Sequence, residues 1–92
     1  MALSLDAVVV RSPEPLTAAV DDELAMLEPG RGLYYTLDAA GRRVWELLER
    51  PRSVASLCGA LEREFAVDPE TCRADVLAFL EQLSKAELIE VR

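Results

Sequence analysis

Cys58 and Cys72 are the side chains of this sequence best suited to metal or nucleophilic chemistry, and their setting argues against both. They are not in CxxC spacing and the chain has no histidine, so zinc sites built from Cys and His are excluded. Each falls on the apolar stripe of a predicted helix, where a thiol packs as a small core residue. A disulfide or redox pair between them is the alternative. The carboxylates are numerous but scattered, with no clustered acid pair and no serine beside a base. Gly30-Arg31-Gly32 offers two glycines of a phosphate loop, but a hairpin turn accounts for them and the rest of that motif is missing. No catalytic residue, metal site or cofactor is expected, and the chain is read as a non-enzyme.

The chemistry that remains belongs to the backbone. Leu33, Tyr35 and Leu37 alternate as on a strand, whereas Val44, Trp45 and Leu48 recur at helical spacing. Asp38 stands at the switch, where a short acceptor side chain caps the first free amides of a helix. If Leu33–Leu37 is the last strand of a meander, its free edge carries unpaired amides and carbonyls. An incoming peptide can pair with them by strand addition, and a neighbouring helix would supply pockets for its side chains. Tyr35 is expected in the core with its hydroxyl at the rim, Tyr34 and Thr36 on the opposite face, and Trp45 as the core anchor of the helix.

The elements around this strand follow from pattern and punctuation. Residues 7–10 form a first strand, which Pro13 and Pro15 break. Leu16–Val20 resumes, Asp21-Asp22 turns, and Glu23–Glu28 leads through Pro29-Gly30-Arg31-Gly32 into Leu33–Leu37 as a hairpin. Glu23–Glu28 has helical propensity, but its short length and the turn after it favour a strand. Three helices are predicted: about Ala39 to Glu49, ending before Pro51; one after the cap Ser53, striped by Val54, Leu57, Cys58, Leu61 and Phe65; and one from the cap Asp68 and Pro69 to about Ala86. Leu88–Val91 is a tail able to pack or add a strand. The order gives an α+β domain with its sheet beside a small helical bundle, taken as a single domain over residues 1–92.

On the third helix Cys72, Val76, Phe79 and Leu83 share an arc of about 60° and are expected to face the core. Leu80 and Leu77 lie off that arc, on a flank with Arg73 and Ser84. That flank is either a broader core or the wall of a groove that a ligand fills.

Bulk properties narrow the partners. Ninety-two residues allow one core, and the net charge of −7 disfavours a nucleic-acid partner. No apolar run is long enough to span a membrane, and the first residues lack the pattern of a signal peptide, so a cytoplasmic setting without membrane attachment is expected.

The run Tyr35-x-Leu37-Asp38-x-x-Gly41-x-x-Val44-Trp45-Glu46-Leu47-Leu48 resembles the strand-to-helix signature of PqqD-like proteins. Pro51-x-Ser53-Val54, Glu64-Phe65-x-Val67-Asp68 and Asp75-Val76-x-x-Phe79-Leu80-x-x-Leu83 continue it in order over roughly residues 7–91. Asp38 replaces an asparagine common in the family, an exchange that keeps the cap. The resemblance implies a RiPP recognition element: a winged helix-turn-helix-like fold, with an N-terminal three-stranded antiparallel meander followed by three helices. Such domains bind the leader segment of a ribosomally made precursor peptide between the third strand and the third helix. Carried over, the leader would meet Leu33, Tyr34, Tyr35, Thr36 and Leu37, with Arg73, Val76, Leu77 and Leu80 opposite. Arg73 would pair with an acidic leader residue, and Asp75, on the other flank, ranks lower.

Arg50-Pro51-Arg52-Ser53-Val54 and Val67-Asp68-Pro69-Glu70-Thr71-Cys72 look most like the stand-alone proteins of lasso-peptide clusters. There the expected partner is a leader-removing cysteine protease. A chaperone of the pyrroloquinoline-quinone type, working with a radical SAM enzyme, is the alternative within the family. From other classes, a dimerisation module would use the same apolar flank. A DNA-binding winged helix is disfavoured because Glu70, Asp75, Glu81 and Glu87 outnumber Arg73 and Lys85 on the third helix.

Overall fold

The computed structural model describes residues 3–13, 16–21, 23–28 and 32–92. Its elements are β1 (Val8–Arg11), β2 (Leu16–Val20), β3 (Glu23–Glu28), β4 (Leu33–Leu37), α1 (Ala39–Leu47), β5 (Arg52–Ser53), α2 (Val54–Phe65), α3 (Pro69–Lys85) and β6 (Ile89–Val91). Each helix begins at a capped amide. Asp38 Oδ1 accepts from Gly41 N at 2.8 Å, Ser53 Oγ from Ser56 N at 3.1 Å, and Asp68 Oδ2 from Thr71 N at 3.1 Å. Pro69 follows Asp68 at the first position of α3, where its missing N–H costs nothing. α2 ends on Ala66 in the left-handed region (φ 52°), whose amide donates to the Glu62 carbonyl.

Two three-stranded antiparallel sheets organise these elements. The meander joins β2, β3 and β4 through sequential pairing, with Leu24 opposite Leu37 and Met26 opposite Tyr35. The other sheet runs β5-β1-β6, with β1 in the middle and Val9 opposite both Arg52 and Val91. The first strand therefore does not extend the meander. Arg11 N donates to the Leu48 carbonyl and Ser12 N to the Leu88 carbonyl, which ties the end of β1 to the end of α1 and to the segment before β6. The tail takes the strand option as β6, and Leu88 beside it is fully buried.

Glu23–Glu28 is a strand, its alternate residues Leu24 and Met26 buried, so pairing on both sides outweighs its helical propensity. The predicted turns fall partly outside the described residues: Pro15, Asp22 and Pro29-Gly30-Arg31 lie there. Asp21 (φ 54°) and Gly32 (φ 66°) hold the left-handed conformations such turns require.

Val9, Leu24, Met26, Leu37, Val44, Trp45, Leu48, Leu57, Leu61, Val76, Leu80 and Leu88 belong to one buried cluster shared by both sheets and all three helices. Trp45 is buried beneath Arg11, whose guanidinium lies 5.5 Å from the ring centroid. Among the described residues no helix is long and apolar enough to cross a membrane.

Of the two readings of the Leu80 flank, a broader core or a groove wall, Leu80 takes the first. It is fully buried and so is corrected as a ligand contact, and Phe79, expected in the core, is half-buried. The buried row is Cys72, Val76, Leu80 and Leu83, so the core arc is turned by about 25° from the predicted one at ~100° per residue. α3 packs against α2 and β6, and those neighbours select which part of a wide apolar face is closed.

Candidate functional site

An open cavity lies where the end of β4 passes into α1, facing the first half of α3. It encloses about 530 Å³. Thr36 and Leu37 bring the strand to its rim, and Asp38, Ala40, Gly41 and Val44 supply the first turns of α1. Leu61 and Phe65 of α2, with Val67 after it, form the end wall. Thr71, Cys72, Asp75, Val76 and Phe79 of α3 form the opposite wall. Most of this lining is apolar, and Phe65 and Val67 are each 41% exposed, so the apolar walls reach solvent.

Local chemistry sets this shape. A Cβ on Gly41 would stand 3.3 Å from Asp38 Oδ1, 3.3 Å from Leu37 Cβ and 3.5 Å from Phe79 Cζ. Glycine at this point lets the capping carboxylate and the Phe79 ring approach the first turn of α1 together. On its outer side α1 is held by charge. Arg43 donates to both oxygens of Glu64 at 2.7 and 3.2 Å, and Arg42 Nη1 to the Asp21 carbonyl at 3.1 Å. The Arg43 hydrogen bond holds the Glu64 carboxyl below the usual glutamate range. This pair ties α1 to the last turn of α2, next to Phe65.

β4 is an edge strand: among the described residues it pairs with β3 on one side and with no strand on the other. Backbone groups of successive residues in an antiparallel strand face alternate sides, so half of those in Leu33–Leu37 are directed away from β3. Tyr35 is half-buried and Leu37 buried, while Tyr34 is 67% exposed and Thr36 exposed, the alternation expected for one covered face.

The two thiols lie inside the fold. Both are free and buried, with Cys72 Sγ 3.8 Å from the Cys58 carbonyl oxygen. Burial, reinforced by the neighbouring Cys72, pushes the Cys58 thiol up to about 11; burial also raises Cys72. These environments suppress thiolate and nucleophilic character at neutral pH. Among the described residues no group of histidine, cysteine or carboxylate side chains is arranged to hold a metal ion.

The sequence-derived site is only partly assembled here. Thr36, Leu37 and Val76 line the cavity, and Leu33, Tyr34 and Tyr35 continue the same strand edge. Arg73 is exposed and Leu77 half-buried, but neither lines the cavity, and Leu80 is enclosed in the core. The cavity instead opens on the flank of Asp75 and Phe79. Phe65, Val67 and the first turn of α1 were not singled out as ligand contacts. The signal was nonetheless present: Leu37-Asp38-x-x-Gly41-x-x-Val44, Phe65-x-Val67 and Asp75-Val76-x-x-Phe79 all converge on this wall.

Comparison with known proteins identifies relatives of this chain. The family model described as Coenzyme PQQ synthesis protein D (PqqD) matches residues 23–89. The solved structure of TbiB1 in complex with the TbiA(beta) leader peptide superposes with a TM-score of 0.78 at 36% sequence identity. That match covers 88% of this chain and 94% of TbiB1. Curated proteins gave no match to the sequence.

Proposed function

The chain belongs to the PqqD family, and from that premise we propose that it binds the leader segment of a ribosomally made precursor peptide. The leader adds as a strand to the free edge of β4 and lays alternate side chains into the cavity between β4, α1 and α3. The observation that carries this reading is the 36%-identical TbiB1, solved in complex with a leader peptide. An apolar cavity directly beside an unpaired strand edge provides the two elements strand addition needs.

Energetics divide the work between them. Each added backbone hydrogen bond contributes only ~0.5–1.5 kcal/mol net, and does so for any sequence. Affinity beyond that, and all selectivity, must come from side chains entering the cavity at about 25 cal/mol per Å² of apolar area covered. The contact set we propose is therefore the backbone of Leu33–Leu37 with Thr36, Leu37, Gly41, Phe65, Val67, Val76 and Phe79, in place of Arg73, Leu77 and Leu80.

The protein acts as a binding module that presents the precursor to a maturation enzyme, and we assign that enzyme as the leader-removing cysteine protease of a lasso-peptide pathway. The Arg50-Pro51-Arg52-Ser53-Val54 and Val67–Cys72 segments support this choice. Fluorescence polarisation with the labelled leader of the precursor encoded beside this gene tests the reading, with its scrambled counterpart and a short duplex DNA as controls. Submicromolar, sequence-dependent binding to the leader alone is expected. Equal binding of leader and scramble, or preference for the duplex, would overturn it.

A further inference from the structure

Asp75 is exposed on the α3 wall of the cavity, one turn before Phe79, and its side chain makes no hydrogen bond or ion pair among the described residues. The other carboxylate of the lining, Asp38, already spends one oxygen capping α1 through Gly41 N. Among the described residues no lysine or arginine lines the cavity, and the whole chain carries a net charge of −7. A ligand that covers this wall strips water from Asp75. An apolar or acidic residue placed there leaves a partly desolvated carboxylate without a partner, which is unfavourable. A lysine or arginine removes that penalty, because its aliphatic stem can lie along Val76 and Phe79 while its charged head stays at the solvent rim beside Asp75.

The spacing follows from the same wall. Asp75 and Phe79 are separated by about 6 Å along a helix, close to the ~6.7 Å between alternate residues of an extended chain. We propose that this cavity selects leader segments in which a lysine or arginine stands two residues from an apolar side chain, the cation against Asp75 and the apolar group against Phe79. The inference rests on the leader-binding reading and adds the chemical class of leader to it.

An mRNA-displayed library of random linear peptides, selected in parallel on the wild-type chain, Asp75→Asn and Asp75→Lys, tests it. Thermal melts first establish that all three are folded, as expected for an exposed position. The wild type should enrich Lys or Arg two positions from an apolar residue, Asp75→Asn should lose that preference, and Asp75→Lys should replace it with Asp or Glu. Resynthesised winners should bind Asp75→Asn about two- to fivefold more weakly, the range of an exposed ion pair, with the difference fading at high salt. Peptides that enrich without a charge preference, or with the same one on all three proteins, would overturn this inference and leave leader binding standing. Absence of enrichment on any of the three would overturn both.

Discussion

The two flanks of α3 are built from similar residues and meet opposite fates. On one, Leu80 is wholly enclosed and Leu77 half-buried against the core. On the other, Phe79 is also half-buried, yet its ring faces the first turn of α1 and walls an open cavity together with Asp75. Hydrophobicity does not separate them, since a leucine is closed and a phenylalanine left accessible. The difference lies in what stands opposite. Leu80 lies within the cluster that includes Leu57 and Leu88, whereas Phe79 only packs against that cluster and faces an α1 turn reduced to Gly41 at its nearest point. An open wall arises here because the opposing element has been thinned, not because the helix is more apolar there.

The sharpest way to break this contrast is to truncate one residue on each flank. Leu80→Ala should cost ~2–5 kcal/mol of folding stability, the range for a buried leucine, and should weaken leader binding only through loss of folded protein. A near-neutral melt would return Leu80 to the surface. Phe79→Ala should do the reverse, weakening binding about tenfold or more as an aromatic anchor is removed, at a smaller stability cost than Leu80→Ala. Denaturant melts paired with fluorescence polarisation read both quantities. Equal affinity for Phe79→Ala and wild type would remove the cavity from the binding site.

Why the sequence placed Phe79 rather than Leu80 in the core arc is clear from the wheel. Cys72, Val76, Phe79 and Leu83 make a compact apolar arc, and so do Cys72, Val76, Leu80 and Leu83. Periodicity alone weighs the two almost equally, and the choice is made by α2 and β6, whose positions relative to α3 no local pattern encodes. What local chemistry does encode was legible: the caps Asp38, Ser53 and Asp68, the strand alternation around Met26 and Tyr35, and the core places of Trp45, Cys58 and Cys72. The sheet β5-β1-β6 was legible only as fragments, because its partners Val9, Arg52 and Val91 are distant in sequence and two of its strands are very short. The wall of the cavity was visible as a motif and not as a surface, since Phe65, Val67 and Asp75 gain meaning only when α2 and α3 meet α1.

A pair of prolines sharpens the comparison at the strand opposite α3. Amides of neighbouring residues in β4 face alternate sides, so Tyr35→Pro and Thr36→Pro must act differently. One removes a bond to β3 and lowers the melting temperature. The other removes a donor from the free edge, which an edge strand tolerates, and weakens leader binding by ~0.5–1.5 kcal/mol per lost hydrogen bond. Tyr35→Ala controls for the lost side chain. If both prolines lowered stability and neither changed the affinity of the folded protein, strand addition at β4 would be wrong.

The smallest effect tests whether the open flank depends on the charge clamp behind it. Arg43 lowers the Glu64 carboxyl chiefly through their hydrogen bond, with burial opposing the shift. A carboxyl whose folded-state pKa lies below its unfolded value stabilises the fold above the unfolded pKa, and that contribution disappears as the pH falls through the folded one. The stability difference between the wild type and Glu64→Gln should therefore be constant at neutral pH, shrink below the ordinary glutamate value of about 4.3, and be reduced by salt at any pH. It should also be small, because both partners are accessible to water and Arg43 keeps Glu46 at 3.3 Å when Glu64 is neutralised. Leader affinity at neutral pH should not change. Were it to fall with stability preserved, the clamp would be setting the position of Phe65 in the cavity wall, and the open flank would owe its shape to surface charge as well as to Gly41.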